Sequence, residues 1–340
     1  VNRVKPIILC SLFFNLCCVA AFGQMPALSP LPKTGKLSQP ADNTKFVFVL
    51  AGDNRPAHNN CKQPPTPGKI FTAVKGLSPA AAFVLWTGDT ISGKDPDDKK
   101  IRDEYKEFLD IAKTAGMPVF NAPGNHEMDD QNNDPSDTMK KLYKKYMGEI
   151  YGAFTYGNSR FIALDSEHEP KSKNASAADA KTKKKKSAKK DKSEAPGSIT
   201  QTQLKLLKED LDANTGSAHV FIFMHHPVVP YEAVDGLDAA SVTALQNLFA
   251  KYKNVSYVVS GHEHMYYNSQ GDKTKLVDPP ARTDPTNPAQ PPFYLVSGGG
   301  GAPLKKKTPG SFFHYMIFSV DGSTVTPTLV KIESSDPCDK

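Results

Sequence analysis

Cysteine is scarce in this chain: five among 340 residues, with Cys10, Cys17 and Cys18 crowded near the start. Only Cys61 and Cys338 remain for the body. No zinc-finger, helix-turn-helix or RNA-binding signature is present, which removes the usual readers of nucleic acid. The Gly-x-x-x-x-Gly-Lys-Ser/Thr arrangement is missing too, so the run Gly298–Gly301 reads as a tight turn rather than a phosphate cradle. Long apolar runs are absent apart from Ile7 to Phe22, which is short for a membrane span and is broken by Asn15. Tryptophan occurs once, at Trp86 inside an apolar stretch, where it reads as core.

The N-terminal run has the features of a secretory signal peptide over 1–23. Arg3 and Lys5 precede it, and Ala21-Phe22-Gly23 resembles a small-x-small cleavage site. Export makes the localisation secreted or periplasmic, and no transmembrane segment is expected once the signal is removed. Two cysteines in an exported chain invite a Cys61–Cys338 disulfide, with two free thiols as the alternative. The net charge of +6 is concentrated rather than spread. Residues 167–194 hold ten lysines against five acids, and with Arg3 and Lys5 set aside the rest is close to neutral. This Lys-rich insertion, at about 167–197, has no periodicity and reads as a disordered, solvated insert; polyanion contact is its lesser alternative.

Residues 24–44 carry four prolines and read as a flexible leader. A domain over 45–334 follows, then a tail over 335–340. Apolar strands are expected at Lys45–Leu50, Ala81–Trp86, Met117–Phe120, Val220–Met224, Val255–Val259 and Phe293–Val296. A strand pair is expected over 152–164 and a terminal hairpin over 312–334, turning at Asp321-Gly322. Helical spacing marks 97–115, 200–211 and 238–252, with shorter helices over 70–77 and 136–147. Strands alternating with helices predict a mixed or parallel sheet covered on both faces.

Five of these strands run directly into polar clusters: Gly52-Asp53-Asn54-Arg55, Gly88-Asp89, Gly124-Asn125-His126-Glu127, His225-His226-Pro227 and Gly261-His262-Glu263-His264. Ligands of open α/β sheets gather beyond the carboxyl ends of strands. The pooled donors Asp53, Asp89, Asn125, His225, His262 and His264 are oxygen and nitrogen atoms without a thiolate, which suits Zn, Mn, Fe or Mg. They are too many for one ion and about right for two divalent ions that share a carboxylate. Such a pair can activate a water and neutralise a phosphate.

In order and composition these clusters resemble the calcineurin-like metallophosphoesterase superfamily, over residues 45–334. The resemblance implies an α/β fold, a four-layer α/β/β/α sandwich of the metallophosphoesterase type. It implies that Asp89 bridges two ions, that Asp53 and His264 bind the first, and that Asn125, His225 and His262 bind the second. His126 would be the catalytic imidazole that stabilises the phosphoryl oxygens and protonates the leaving group, with Glu127 behind it, orienting the ring. His226 has the weaker claim to its neighbour's place.

Two positions depart from the pattern. The family's first motif is usually Asp-x-His, and this chain has Asp53-Asn54-Arg55. A permanently charged guanidinium repels a cation, so Arg55 is assigned to substrate phosphate instead. Purple acid phosphatases resemble Gly261–Tyr266 but carry a metal-binding tyrosine where this chain has Ser92, so no purple ferric site is expected. The first ion site is therefore expected to be the weaker, completed by Asn54, His58 or water. The reading is a secreted metal-dependent phosphoesterase in which a metal-bridging hydroxide attacks a phosphate ester, phosphomonoesters favoured. Its alternatives are a nucleotide phosphodiesterase and, from another class, a degenerate domain that binds a phospho-ligand or polyanion without turnover.

Overall fold

The computed structural model describes residues 25–58, 60–93, 97–128, 137–167, 196–283, 292–335 and 338. The run 1–23 read as a signal peptide, nearly all of the Lys-rich insertion and most of the tail lie outside the described residues.

Two mixed sheets form the centre. The first has the order β11-β10-β1-β2-β3, with β1 (Lys45–Ala51), β2 (Ala81–Trp86), β3 (Val119–Asn121), β10 (His314–Asp321) and β11 (Thr324–Lys331). β1, β2 and β3 are parallel, and the β10–β11 hairpin joins β1 antiparallel. The second has the order β4-β5-β6-β7-β9-β8. It comprises β4 (Gly152–Tyr156), β5 (Ser159–Ala163), β6 (His219–Phe223), β7 (Val255–Ser260), β8 (Tyr266–Asn268) and β9 (Phe293–Ser297). Alternation within each strand sorts its side chains into layers. Phe46, Phe48 and Leu50 of β1 meet Phe161, Phe221 and Tyr257 of the second sheet in one shared core. Val47, Val49 and Ala51 face the opposite way, under α1 (Thr66–Lys75) and α2 (Asp98–Ala112). Val220 and Ile222 of β6 pack beneath α5 (Gln201–Ala213) and α6 (Ala239–Phe249).

The result is the four-layer α/β/β/α sandwich implied by the resemblance. Strand-and-helix alternation alone predicts one sheet covered on both faces, and there are two. Strands that are apolar on both faces are compatible with either arrangement. What holds the two sheets together is aromatic. Phe48 stacks on Phe83 and Phe318 at centroid distances of 5.4 and 4.9 Å and meets Phe161 and Phe221 edge-on. Each such ring contributes about 2–3 kcal/mol by burial.

Helix starts follow local chemistry. The side chains of Asp97, Thr200 and Asp238 accept from backbone N–H groups at the starts of α2, α5 and α6. The segment 25–44, read as a flexible leader, is a strap. Met25, Leu28 and Leu31 are buried. Leu28 N–H donates to Ala153 O (3.1 Å) in β4, and Leu31 N–H donates to Val119 O (2.7 Å) in β3. β3 and β4 are the edge strands of their sheets, so the strap satisfies two edges left open by the strand order. Its prolines suggested looseness, but the apolar residues between them find the core.

Candidate metal centre

Three of the five clusters leave their strands, β1, β2 and β7, by a sharp turn. Asp53, Asp89, His262 and His264 have φ values of 63, 50, 71 and 45°. Non-glycine residues rarely adopt this left-handed conformation, and it concentrates at functional sites. The turns let loops of both sheets cross at close range. A Cβ on Gly124 would lie 2.3 Å from Asp89 Oδ1, and one on Gly261 would lie 2.0 Å from Asp53 Oδ2. Gly300 similarly lets its N–H reach Gly52 O (2.8 Å), which gives the Gly298–Gly301 turn a packing role beside the site.

Two groups of donors result, and Asp89 touches both. On one side, His225 Nε2 stands 2.9 Å from Asn125 Oδ1, 3.3 Å from Asp89 Oδ1 and 3.1 Å from His262 Nδ1. On the other, His264 Nε2 stands 3.8 Å from Asp53 Oδ1 and 4.0 Å from Asp89 Oδ2. Backbone carbonyls set the rings: His225 Nδ1 donates to Thr87 O (2.8 Å) and His264 Nδ1 to Pro303 O (2.8 Å). Both Nε2 atoms therefore face the site as lone-pair donors, the orientation that metal-binding histidines need.

These residues fit a pair of cations. Atoms about 2.0–2.2 Å from a shared ion lie roughly 3 Å apart, the spacing around His225, with wider pairs across larger angles. Asp53, Asp89 and His264 offer ligand atoms all within 4.8 Å of one another. The electrostatics agree. Burial and the adjacent Asp89 charge push the Asp53 carboxyl well above its ordinary range. Burial opposes ionisation of Asp89 as well, yet the surrounding His225, His126, His264 and Arg55 hold it well below its usual value. Burial also lowers His262 and His264, which favours neutral, ligating imidazoles.

His126 is buried beside Asp89, with Nε2 3.9 Å from Asp89 Oδ2, and its Nδ1 donates to the carbonyl of Ser92. That carbonyl orients the ring, and the expected role of Glu127 is corrected. The Glu127 carboxylate accepts instead from Asp89 N (3.0 Å), Thr90 N (2.6 Å), Thr90 Oγ1 (2.8 Å), Ile91 N (3.2 Å) and Gly124 N (2.7 Å). It ties the Asp89 loop to the Gly124 loop, and is a positioning residue rather than a catalytic one. Burial and the Asp89 charge raise it to about 7.

Arg55 is not directed at open solvent. Its Nε lies 3.3 Å from Asp89 Oδ2 and its Nη1 donates to Pro56 O (3.4 Å). Neither residue expected to complete the first ion is available. Asn54 Oδ1 accepts from Trp86 Nε1 (2.8 Å) while its amide donates to Gln63, and His58 lies against Cys61 Sγ. His226 is engaged by Glu167 Oε1 (2.9 Å) and lies against His262, with ring centroids 4.1 Å apart and the planes tilted by 36°. Sequence reasoning missed the carbonyls of Thr87, Ser92 and Pro303, which carry no residue-type signature, and the Glu167–His226 pair.

Fold and site together define a two-sheet α/β scaffold with a built oxygen–nitrogen centre for cations at one end of its strands. The chain belongs to the calcineurin-like phosphoesterase family, whose model matches residues 57–266 and so begins just past Arg55. It is similar to the 3',5'-cyclic adenosine monophosphate phosphodiesterase CpdA of Haemophilus influenzae, 25% identical over 205 residues, or 58% of this chain and 60% of that one. It is also similar to the probable glycerophosphodiester phosphodiesterase GpdQ of Arcobacter nitrofigilis, 24% identical over 56% of this chain and 59% of that one. The alignments thus span about three-fifths of these relatives. Among solved structures, the purple acid phosphatase PPD1 from yellow lupin seeds shares the fold with a TM-score of 0.56 at 17% identity, covering 89% of this chain and 53% of that one. A dimetal phosphatase from Danio rerio does so with a TM-score of 0.53 at 17% identity, covering 85% and 99%.

Proposed function

We propose that this chain hydrolyses phosphate esters at the centre formed by Asp53, Asp89, Asn125, His225, His262 and His264. One observation carries the reading: five separate loops from two sheets bring these side chains together, with the rings of His225 and His264 turned to face the same space. Two divalent ions held there would polarise the ester and lower the pKa of a bound water. Asp89, with one oxygen toward each group of donors, is the residue suited to bridge them. His126 is placed to hold or deliver a proton at the leaving oxygen, since the Ser92 carbonyl fixes its Nδ1–H and turns Nε2 toward Asp89.

Phosphomonoesters are the preferred substrates in this proposal, because a guanidinium at the site matches a terminal, doubly charged phosphate. The names of the sequence relatives favour a second reading, hydrolysis of diesters, including nucleotide ones. A degenerate phospho-ligand or polyanion-binding domain has little need for His126 beside two intact donor groups. Export to a secreted or periplasmic location is also proposed. The charged and apolar N-terminus supports it, and so does the Cys61–Cys338 pair, which forms a disulfide with Cα atoms 6.3 Å apart.

Elemental analysis with hydrolysis of p-nitrophenyl phosphate and its bis-ester tests the reading. Wild type is expected to retain metal and to turn over the monoester faster. Asn125→Ala is expected to lose metal and activity together. His126→Ala is expected to keep metal while turnover drops about 10²–10⁴-fold. Neither metal nor turnover of either ester in wild type would sink the proposal, and faster bis-ester turnover would replace the monoester preference.

A further inference from the structure

We propose that Arg55 is a built-in cation on the first-ion side of the centre, so that the second-ion side loads first and the first ion binds only by displacing Arg55 from Asp89. The inference rests on the phosphoesterase reading for the identity of the centre, and on geometry particular to this chain for the rest. Asp89 presents Oδ1 to His225 at 3.3 Å and Oδ2 to the Arg55 guanidinium, also at 3.3 Å. Oδ2 is the oxygen that faces His264. The guanidinium thus contacts the very atom that a first ion would need, and its charge acts on Asp53, Asp89 and His264 alike.

Charge and ligand supply point the same way. Asp53 and Asp89 bring two negative charges into a fully buried space. With the buried Glu127 carboxylate behind them the acidic total is three, and Arg55 and one divalent ion already balance it. A second divalent ion then meets a like charge a few ångströms away, at a cost that low-dielectric surroundings increase. Among the neighbours that could complete this side, Asn54 and His58 are held elsewhere. The other side keeps Asn125, His225 and His262 close together with Asp89 Oδ1. The contact with Asp89 is an ion pair without hydrogen-bond geometry at Nε, which suits a group that can leave. Once displaced, the guanidinium is free to meet substrate phosphate.

Calorimetric titration of the metal-stripped full chain with Mn²⁺, with metal content measured after dialysis, tests this. Wild type is expected to keep about one ion per chain, with a second bound on the order of tenfold or more weaker. Arg55→His removes the competing charge and supplies an imidazole, and is expected to bring the two affinities together and the retained metal toward two. Arg55→Ala separates charge from ligation: it should strengthen the weak site relative to wild type but less than histidine does. Circular dichroism confirms that each variant is folded. Two equal sites in wild type, or a ratio that neither variant changes, overturns the inference while leaving the phosphoesterase reading intact. One tight ion with no turnover of either ester overturns the phosphoesterase reading and leaves the ordered loading. No retained ion in wild type overturns both.

Discussion

Glu127 shows how a residue adjacent to the chemistry can act without touching it. Its two carboxylate oxygens take five donors, four of them backbone N–H groups belonging to Asp89, Thr90, Ile91 and Gly124. Burial argues for its neutral form and the donors argue for the charged one. A glutamine has nearly the same shape but puts an NH₂ where one oxygen accepted, so at least two N–H groups would face another donor. Glu127→Gln is therefore expected to destabilise the fold by roughly 3 kcal/mol. Because Asp89 and Asn125 sit on the two loops it joins, metal affinity should also fall by about 10–100-fold. Urea unfolding in EDTA reads the first effect and metal titration the second. A variant as stable and as tightly metallated as wild type would show that the loops hold themselves.

At the scale of elements, β6 links a stability effect to the sheet that carries His225. His219 opens this strand fully buried, with Nε2 donating to Gly322 O (3.1 Å) and Nδ1 facing Ser256 Oγ (3.0 Å). Burial lowers its imidazole from an ordinary 6.5 to about 4. The unfolded chain therefore binds a proton that the fold refuses, and stability is lost as pH falls from 6.5 toward 4. Asp165 and Glu127, each raised by burial to about 7, act with the opposite sign in the same window, and His314, lowered by burial to about 4, acts with the same sign, so the wild-type profile mixes these contributions. The difference between wild type and His219→Gln isolates the histidine. Relative to its value at pH 7.5, it should shift toward the variant by roughly 2–3 kcal/mol at pH 4.5, measured by urea unfolding without metal. A difference that stays constant with pH would mean that His219 is protonated in the fold.

The same elements show what could be read from residues and what could not. β1, β2, β6 and β7 announced themselves by apolar runs, and their ligands by residue type at the strand ends. β8 has three residues, too few to show a period, and went unseen. Asn125 reads as part of a loop, yet it opens a single helical turn, Asn125–Met128. The roles of Glu127 and Arg55 were misread or incomplete because both depend on which loop lies opposite, and that is decided by the meeting of two sheets far apart in sequence.

For the molecule as a whole, long-range ties matter because the first sheet is assembled from both ends of the chain. β1 and β2 lie between β3 and the C-terminal β10–β11 hairpin. The loop after Arg55 and the helix α1 that follows it are anchored to the segment after β11 in two ways. Lys69 Nζ donates to Glu333 O (2.8 Å) and Thr66 Oγ1 to Ser334 Oγ (2.8 Å), while the Cys61–Cys338 disulfide closes a span of 277 residues. The two hydrogen bonds form only in the folded state, whereas the disulfide also restricts the unfolded chain. Chain-entropy reasoning makes a cross-link over so long a span strongly stabilising. Cys61→Ser is therefore expected to lower the unfolding free energy by about 2–5 kcal/mol. Dithiothreitol should bring wild type down to the level of the variant and leave the variant unmoved, as urea unfolding can establish. A wild type indifferent to the reductant would mean that the two thiols do not pair in solution, and would remove one of the two supports for an oxidising compartment.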